Sequence, residues 1–262
     1  MDSTQHEKAV QSWRQAREAR LRSSDGWLTL VDRILLDQGE NPLPFGALTL
    51  DADGVVEVRV QPGQAVTSDD RPITTIQALR PQEGARSALL AHAGRTYEVY
   101  RRGDVFAVRV KDPESPALRA FTGLSCYPID PAWRIEARFE RYQPPRTTVH
   151  QLDVGPSGPR QVPGIAHFAV GERALVLEPV LEEQPPRLFF VFTDQTTHHG
   201  TSPAGRFLYA DVPGSDDTVI LDFNLAFNPP CAFTAFSTCP IPPASNRMPV
   251  AVTAGEKDYS IE

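Results

Sequence analysis

The first 25 residues carry the pattern of an amphipathic helix. One face of that helix would carry Val10, Trp13, Arg17 and Leu21. These residues are separated by three or four positions within a stretch rich in Ala, Arg, Gln and Glu, which favours an α-helix. The sequence Ser-Ser-Asp-Gly at 23–26 ends the pattern, because its glycine suits the left-handed conformation that closes a helix. We predict an N-terminal helix within residues 1–25.

Beyond residue 26 the hydrophobic period falls from about 3.6 residues to two, the period of a β-strand. Tyr97–Val99 and Phe106–Val110 flank the turn Arg101–Asp104, and this arrangement predicts a β-hairpin. Trp133–Glu140 shows the clearest alternation of apolar and polar residues in the chain. The apolar run Leu188–Phe192 predicts a central strand that is buried on both faces.

The polar segment Lys111–Pro116 interrupts both the helical and the strand patterns. We therefore predict two β subdomains, at residues 26–115 and 116–262, each a sandwich or a barrel. A single continuous β domain is the alternative. Further strands are predicted at residues 147–154, 165–170 and 173–180, with a turn at 155–159.

The last forty residues contain the proline-rich stretches Asn228–Cys231 and Cys239–Pro243. Proline donates no backbone hydrogen bond, so these stretches do not fit a regular strand ladder. We predict that this C-terminal tail wraps around the second subdomain and runs extended over its surface.

Composition narrows the class of protein. The 262 residues include 25 prolines, each of which disrupts a helix interior, so the composition disfavours a helix bundle. The net charge of −7 disfavours a protein dedicated to the phosphates of nucleic acids. The chain has neither a run of about 18 apolar residues nor an apolar signal sequence, and its three cysteines do not resemble a disulfide framework. We expect a soluble, cytoplasmic protein with no nucleic-acid or membrane partner.

Sequence signatures of common catalytic and metal sites are absent. The chain has no phosphate-binding Gly-rich loop, dinucleotide-binding glycine motif or His-Glu-x-x-His motif. His198 and His199 lack the spacing of zinc ligands, as do Cys231 and Cys239. We interpret the histidines as part of a solvated loop and the cysteines as small buried apolar groups. No metal site is predicted.

Polar residues gather around one predicted strand of the C-terminal half. Val219–Asn224 predicts a buried strand, and Asp222, Asn224 and Asn228 would share one face of it and of its continuation. Buried amides and carboxylates require hydrogen-bond partners. Those partners are either the backbone of the tail or a bound ligand. In the second case, the ligand-binding residues are Asp194, Arg206, Asp222, Asn224, Asn228, Cys231, Asn246 and Arg247. The guanidinium of Arg206 would meet an anionic ligand, or pair with Asp194 or Asp222.

The same residues carry a family resemblance. The most distinctive stretches are Trp133–Phe139, Asp222–Asn224, Asn228–Phe233, Cys239–Pro240 and Gly255–Lys257. With shorter matches along nearly the whole chain, they make the sequence resemble DUF1684, a bacterial and archaeal family of unknown function. The resemblance implies no activity or cofactor. Typical members have tyrosine where this chain has Ser202 and a glycine–lysine pair where it has His198–His199, so a site built on that loop is altered here.

Three functions are compatible with the sequence. The first is a small-molecule-binding protein with a polar pocket in the second subdomain. The second is a thiol-dependent or metal-assisted hydrolase that uses Cys231 or Cys239 with His198 or His199. The third is a scaffold that associates through an exposed sheet edge. The sequence identifies no catalytic residue, cofactor or oligomeric state, and we rank the binding protein first.

Overall fold

A computed structural model of the chain describes residues 2–74, 76–82, 88–151 and 156–259. The chain divides into two compact units. The larger unit joins Met1–Arg20 to Thr122–Glu262, and the smaller unit is Leu21–Phe121. Most of the N-terminal helix therefore belongs with the C-terminal half of the chain, although the smaller unit lies between them in sequence.

The described residues form two α-helices and seventeen β-strands, so the protein is mostly β with an N-terminal helix, as predicted. The helices are α1 (Ser3–Arg22) and α2 (Pro116–Ala120). The strands are β1 (Leu30–Leu35), β2 (Gly39–Leu43), β3 (Gly46–Leu50), β4 (Val56–Val60), β5 (Thr67–Ser68), β6 (Arg71–Pro72), β7 (Ile76–Leu79), β8 (Ala88–His92), β9 (Arg95–Arg102), β10 (Val105–Lys111), β11 (Arg134–Gln151), β12 (Pro156–Val170), β13 (Arg173–Leu177), β14 (Val180–Glu183), β15 (Pro186–Phe192), β16 (Arg206–Asp211) and β17 (Thr218–Asp222). Neither helix of the described chain is both long and apolar enough to cross a membrane.

The smaller unit contains two antiparallel sheets, with strand orders β1-β10-β9-β8-β5-β6 and β2-β3-β4-β7. The predicted hairpin is the pair β9 and β10, whose register places Arg102 opposite Val105. Apolar side chains from both sheets, including Leu48, Val58 and Val108, form one buried cluster.

The larger unit also contains two antiparallel sheets, with strand orders β13-β12-β11-β17 and β14-β15-β16. Both sheets have free edges within the described residues, as in a sandwich. Phe139 of one sheet and Phe190 of the other belong to a single core. Strand β15 lies at the centre of its sheet, as its apolar sequence predicts.

Several strand boundaries differ from the prediction. The predicted strand at 173–180 is divided, since β13 ends at Leu177 and β14 begins at Val180. The predicted strand at 147–154 is the end of β11, and residues 152–155 lie outside the described part of the chain. The predicted turn at 155–159 is wrong over 156–159, which belong to β12. The predicted strand Val219–Asn224 ends at Asp222, because the Asp222 carboxylate accepts a hydrogen bond from the Asn224 amide and starts a 3-10 turn. Phe223 and Asn224 are both buried there, so the predicted alternation of faces is wrong.

The tail, residues 228–259, forms part of the core of the larger unit. Phe233, Val252 and Ala254 are fully buried, which corrects the expectation that the tail runs only over the surface. Some of its backbone partners lie just after β15, where the Thr193 amide donates to the Asn246 carbonyl and the Thr193 carbonyl accepts from the Met248 amide. The tail therefore supplies hydrogen-bond partners that a regular strand would otherwise supply.

Candidate functional site

A buried ion pair joins Arg206, at the start of β16, to Asp194. Arg206 Nη2 lies 2.8 Å from Asp194 Oδ2, and both side chains are 1% exposed. Asp194 Oδ1 accepts hydrogen bonds from the amide and hydroxyl of Thr196 at 2.7 and 2.6 Å. A buried charge needs this degree of pairing and hydrogen bonding to be tolerated. Of the partners anticipated for Arg206, the structure selects Asp194.

The guanidinium of Arg206 also holds the tail. Nη2 donates to the Val252 carbonyl at 2.9 Å, and Nη1 donates to the carbonyls of Ala254 and Glu256. Gly205, directly before Arg206, lies close to the end of β15: its φ is +82° and a Cβ there would lie 2.4 Å from the Phe192 carbonyl oxygen. Arg206 thus links β16, Asp194 and the tail.

Asp222 and Asn224 form a second internal network. Asp222 Oδ2 lies 2.6 Å from Nε2 of His6, a buried residue of α1. The Asn224 side chain donates to Asp222 Oδ1 at 2.9 Å, donates to the Asp130 carbonyl at 2.9 Å and accepts from the Asp130 amide at 3.0 Å. These contacts fix α1 and the segment before β11 to the end of β17.

Asn228 belongs to a third network, which joins α1 to the end of the tail. Its amide donates to Glu256 Oε2 at 2.7 Å, and its side chain donates to the Lys257 carbonyl at 2.7 Å. Arg17 of α1 donates to Glu256 Oε1 at 3.0 Å and to the Asn228 carbonyl at 2.9 Å. Burial raises the pKa of Glu256, and the charge of Arg17 opposes that shift.

Asn246 bonds to backbone on both sides. Its Oδ1 accepts from the Glu178 amide at 2.8 Å, and its Nδ2 donates to the carbonyls of Glu178 and Val191 at 2.8 and 2.9 Å. Together with Asp222, Asn224 and Asn228, this residue is engaged in the protein's own hydrogen bonds. The Asn228 side chain donates to the tail backbone, the partner that one of the two interpretations named, whereas Asp222 and Asn224 bond to His6 and to the Asp130 backbone. Asn228 Oδ1 is buried with no hydrogen-bond partner among the described residues.

The remaining predicted residues lie around a cavity of about 530 Å³ in the larger unit. It is lined by Thr193, Asp194, Thr197, His198, Pro203, Ala204, Cys231, Cys239, Pro240, Ile241, Pro242 and Arg247. Three of the predicted ligand-binding residues, Asp194, Cys231 and Arg247, therefore meet at one site, and Arg206 lies directly behind Asp194.

The cavity combines an apolar wall with one unneutralised cation. Pro240, Ile241 and Pro242 form part of the apolar wall. The Asp194 carboxylate is paired with Arg206, whereas the exposed Arg247 side chain has no hydrogen bond or ion pair with any residue that the structure describes. The local charge is therefore positive, which favours an anion.

The two thiols of the cavity are in contact with each other. Cys239 Sγ accepts a hydrogen bond from the Cys231 amide at 3.2 Å. A hydrogen bond with the Cys231 side chain, followed by burial, raises the pKa of the Cys239 thiol well above its ordinary value. Since the thiolate is the reactive form of cysteine, Cys239 is a poor nucleophile in this state.

Sequence reasoning missed the residues that shape the cavity. Thr193 and Thr197 flank Asp194, while Pro203 and Ala204 precede β16. Ile241 could have been recognised as a cavity residue, because it is an apolar residue between two prolines and its side chain is exposed. Among the described residues, no group of three or more His, Cys, Asp or Glu side chains could hold a metal ion.

Comparisons with known proteins identify a family but no activity. The chain is similar to an uncharacterized protein of Haloarcula marismortui solved by solution NMR, at 31% identity over 56% of this chain and 82% of that one, with a TM-score of 0.44. No curated protein matches the chain. The family model of DUF1684, described as a protein of unknown function, matches residues 119–257. The shorter stretches of resemblance before residue 119 lie outside this match. This match covers more than half of the sequence, and the chain therefore belongs to the DUF1684 family.

Proposed function

We propose that the protein binds a small organic anion in the cavity around Arg247. The observation that carries this proposal is the exposed Arg247 side chain, which faces no carboxylate partner within the described residues and lines a largely apolar cavity. The cavity volume of about 530 Å³ falls in the range of about 300–1,000 Å³ found for small-molecule sites. The ligand would place an anionic group at Arg247 and a short apolar body against Pro240–Pro242.

Binding of simple probes tests this proposal. We expect hexanoate to bind saturably in isothermal titration calorimetry and neutral hexanamide, which has the same chain, to bind far more weakly. Arg247→Gln should weaken hexanoate binding by about 10- to 100-fold, because a hydrogen bond to a charged group contributes about 1.5–3 kcal/mol. Native mass spectrometry of the purified protein, compared with its denatured mass, would detect any ligand that is retained.

Arg138→Gln is the matched control. Arg138 is an exposed arginine on β11 and lines no part of the cavity. Its Nη2 lies 3.4 Å from Oε2 of Glu140. Its substitution removes the same charge and should leave hexanoate binding unchanged. Equal binding of hexanoate and hexanamide, or equal loss in the two variants, would contradict the proposal.

The hydrolase alternative draws on the same cavity, since His198, Cys231 and Cys239 line it. The raised pKa of Cys239 counts against it as the nucleophile, and no other observation favours hydrolysis. A scaffold function would use the free sheet edges. We rank both below ligand binding.

We also propose that the protein is soluble and cytoplasmic. Its odd number of cysteines supports this location, because it does not fit a disulfide framework, and cell fractionation would test it.

A further inference from the structure

The two cysteines of the cavity wall are placed for reaction with each other. Cys239 Sγ lies 3.2 Å from the Cys231 amide nitrogen, which is one bond from the Cys231 Cα. No disulfide joins the described cysteines, so both side chains are thiols.

The local backbone holds this contact. Cys231 lies in the 3-10 turn Pro230–Ala232, and Pro240 restricts the backbone directly after Cys239. Phe233, within the short connecting loop, is fully buried and anchors that loop in the core. Because the loop is short and anchored, joining the two sulfurs requires little further loss of chain entropy.

We propose that Cys231 and Cys239 form a redox-active dithiol that exchanges with small disulfides entering the cavity. This inference goes beyond the proposed function, since it requires a disulfide to reach the cavity wall and does not require a resident anion. The co-reactant is a low-molecular-weight disulfide, R–S–S–R, such as oxidised glutathione.

The exchange proceeds in two balanced steps. Cys231 loses its proton to solvent and attacks one sulfur of the small disulfide, which forms a mixed disulfide and releases one thiolate, R–S⁻, that takes up a proton. Cys239 then loses its proton and attacks the Cys231 sulfur, which closes the protein disulfide and releases the second thiol. The protein loses two electrons and two protons, and R–S–S–R becomes two R–SH.

The exposures of the two cysteines set this order. Cys231 is half-buried, whereas Cys239 is 7% exposed. A disulfide in the cavity therefore meets Cys231 first. Burial keeps outside molecules away from Cys239, whereas Cys231 lies beside it. The hydrogen bond with the Cys231 side chain, which is the largest cause of the raised pKa of Cys239, ends once Cys231 is in the mixed disulfide.

Peptide mapping tests the proposal on the full-length wild-type protein. The reduced protein is incubated with oxidised glutathione, alkylated and digested with trypsin. Both cysteines then lie in the peptide Phe207–Arg247, and Cys126 lies in Ala120–Arg134. We expect Phe207–Arg247 to lose two hydrogen atoms and to escape alkylation. Cys126, which is also half-buried but lies outside the cavity, should remain alkylated and serves as the internal control.

Two variants assign the roles of the cysteines. In Cys239→Ser, the glutathione adduct on Cys231 should persist about tenfold longer than in wild type at about 0.1 mM thiol, because closure in the wild type is intramolecular with a millimolar or higher effective concentration. Cys126→Ser should behave as wild type. Full alkylation of Phe207–Arg247, a persistent wild-type adduct, or equal reaction of Cys126 would overturn the proposal. The wild-type result needs no substitution and is independent of hexanoate binding, so the two proposals can fail separately.

Discussion

Substitution of Arg206 by methionine should destabilise the larger unit severely. Arg206→Met keeps an unbranched apolar stem in place of the arginine methylenes but leaves the Asp194 carboxylate buried without its cation. The carbonyls of Val252, Ala254 and Glu256 lose their donor at the same time. The tail would then lose the attachment that holds it to β16.

The magnitude follows from these contacts. Removing one member of a buried ion pair costs about 3–5 kcal/mol, and each buried carbonyl left unpaired costs about 1–3 kcal/mol. Relaxation and entering water offset part of this sum, so we expect a loss of at least about 5 kcal/mol, comparable to the whole stability of a small domain. Arg206→Lys, which retains the charge but not the planar arrangement of donors, should lose less.

Urea unfolding followed by tryptophan fluorescence measures the effect. Trp13 and Trp133 lie in the larger unit and Trp27 in the smaller one, so a Trp27→Phe background makes the signal specific to the larger unit. The exposed control Arg138→Met should change the free energy of unfolding by at most about 0.5 kcal/mol. If Arg206→Met lowers the free energy of unfolding by less than about 1 kcal/mol, the hydrogen bonds and ion pair of the guanidinium do not stabilise the larger unit as proposed.

Two further predictions concern other buried polar groups. His6→Ala removes the 2.6 Å contact with the Asp222 carboxylate and should lower the free energy of unfolding by about 1.5–3 kcal/mol. Thermal unfolding checks this against Lys8→Ala, an exposed substitution on the same helix. A melting temperature of His6→Ala no lower than that of Lys8→Ala would refute the role of His6. Burial, and then the Glu182 carboxylate, raise the pKa of Tyr209 to about 12. Because the native state favours the neutral phenol, this contribution to stability is present below the unfolded value of about 10 and is lost as the pH rises to about 12. Titration of phenolate absorbance should show that Tyr209→Phe removes one group titrating near pH 12, and loss of a group titrating near pH 10 instead would contradict the shift.

The Asp222–Asn228 segment shows where sequence reasoning stops. Its alternation of polar and apolar residues favours a strand, yet the chain turns after Asp222 because that side chain caps the following 3-10 turn. Periodicity describes a regular backbone and does not register a side chain that competes with the strand for a backbone amide. The sequence therefore identified a polar, buried segment but assigned its faces wrongly.

The candidate site was predictable only in part for a related reason. Asp194, Cys231 and Arg247 were recognisable as candidates, but so were Asn228 and Asn246, which have the same polar character. What separates them is which side chains the folded chain brings to the cavity and which it directs to hydrogen-bond partners in distant segments. Such partners are set by tertiary contacts, and no local pattern reports them.

By itself, the sequence determined the β class, the N-terminal helix, the β9–β10 hairpin and the family, because each depends on short-range periodicity, turn chemistry or a continuous motif. Only the tertiary structure decided that the tail enters the core and that Arg206 is neutralised by Asp194 while Arg247 is left facing a cavity. Those outcomes depend on hydrogen bonds and charges brought together from segments far apart in sequence, such as Arg206 and Val252, which are 46 positions apart.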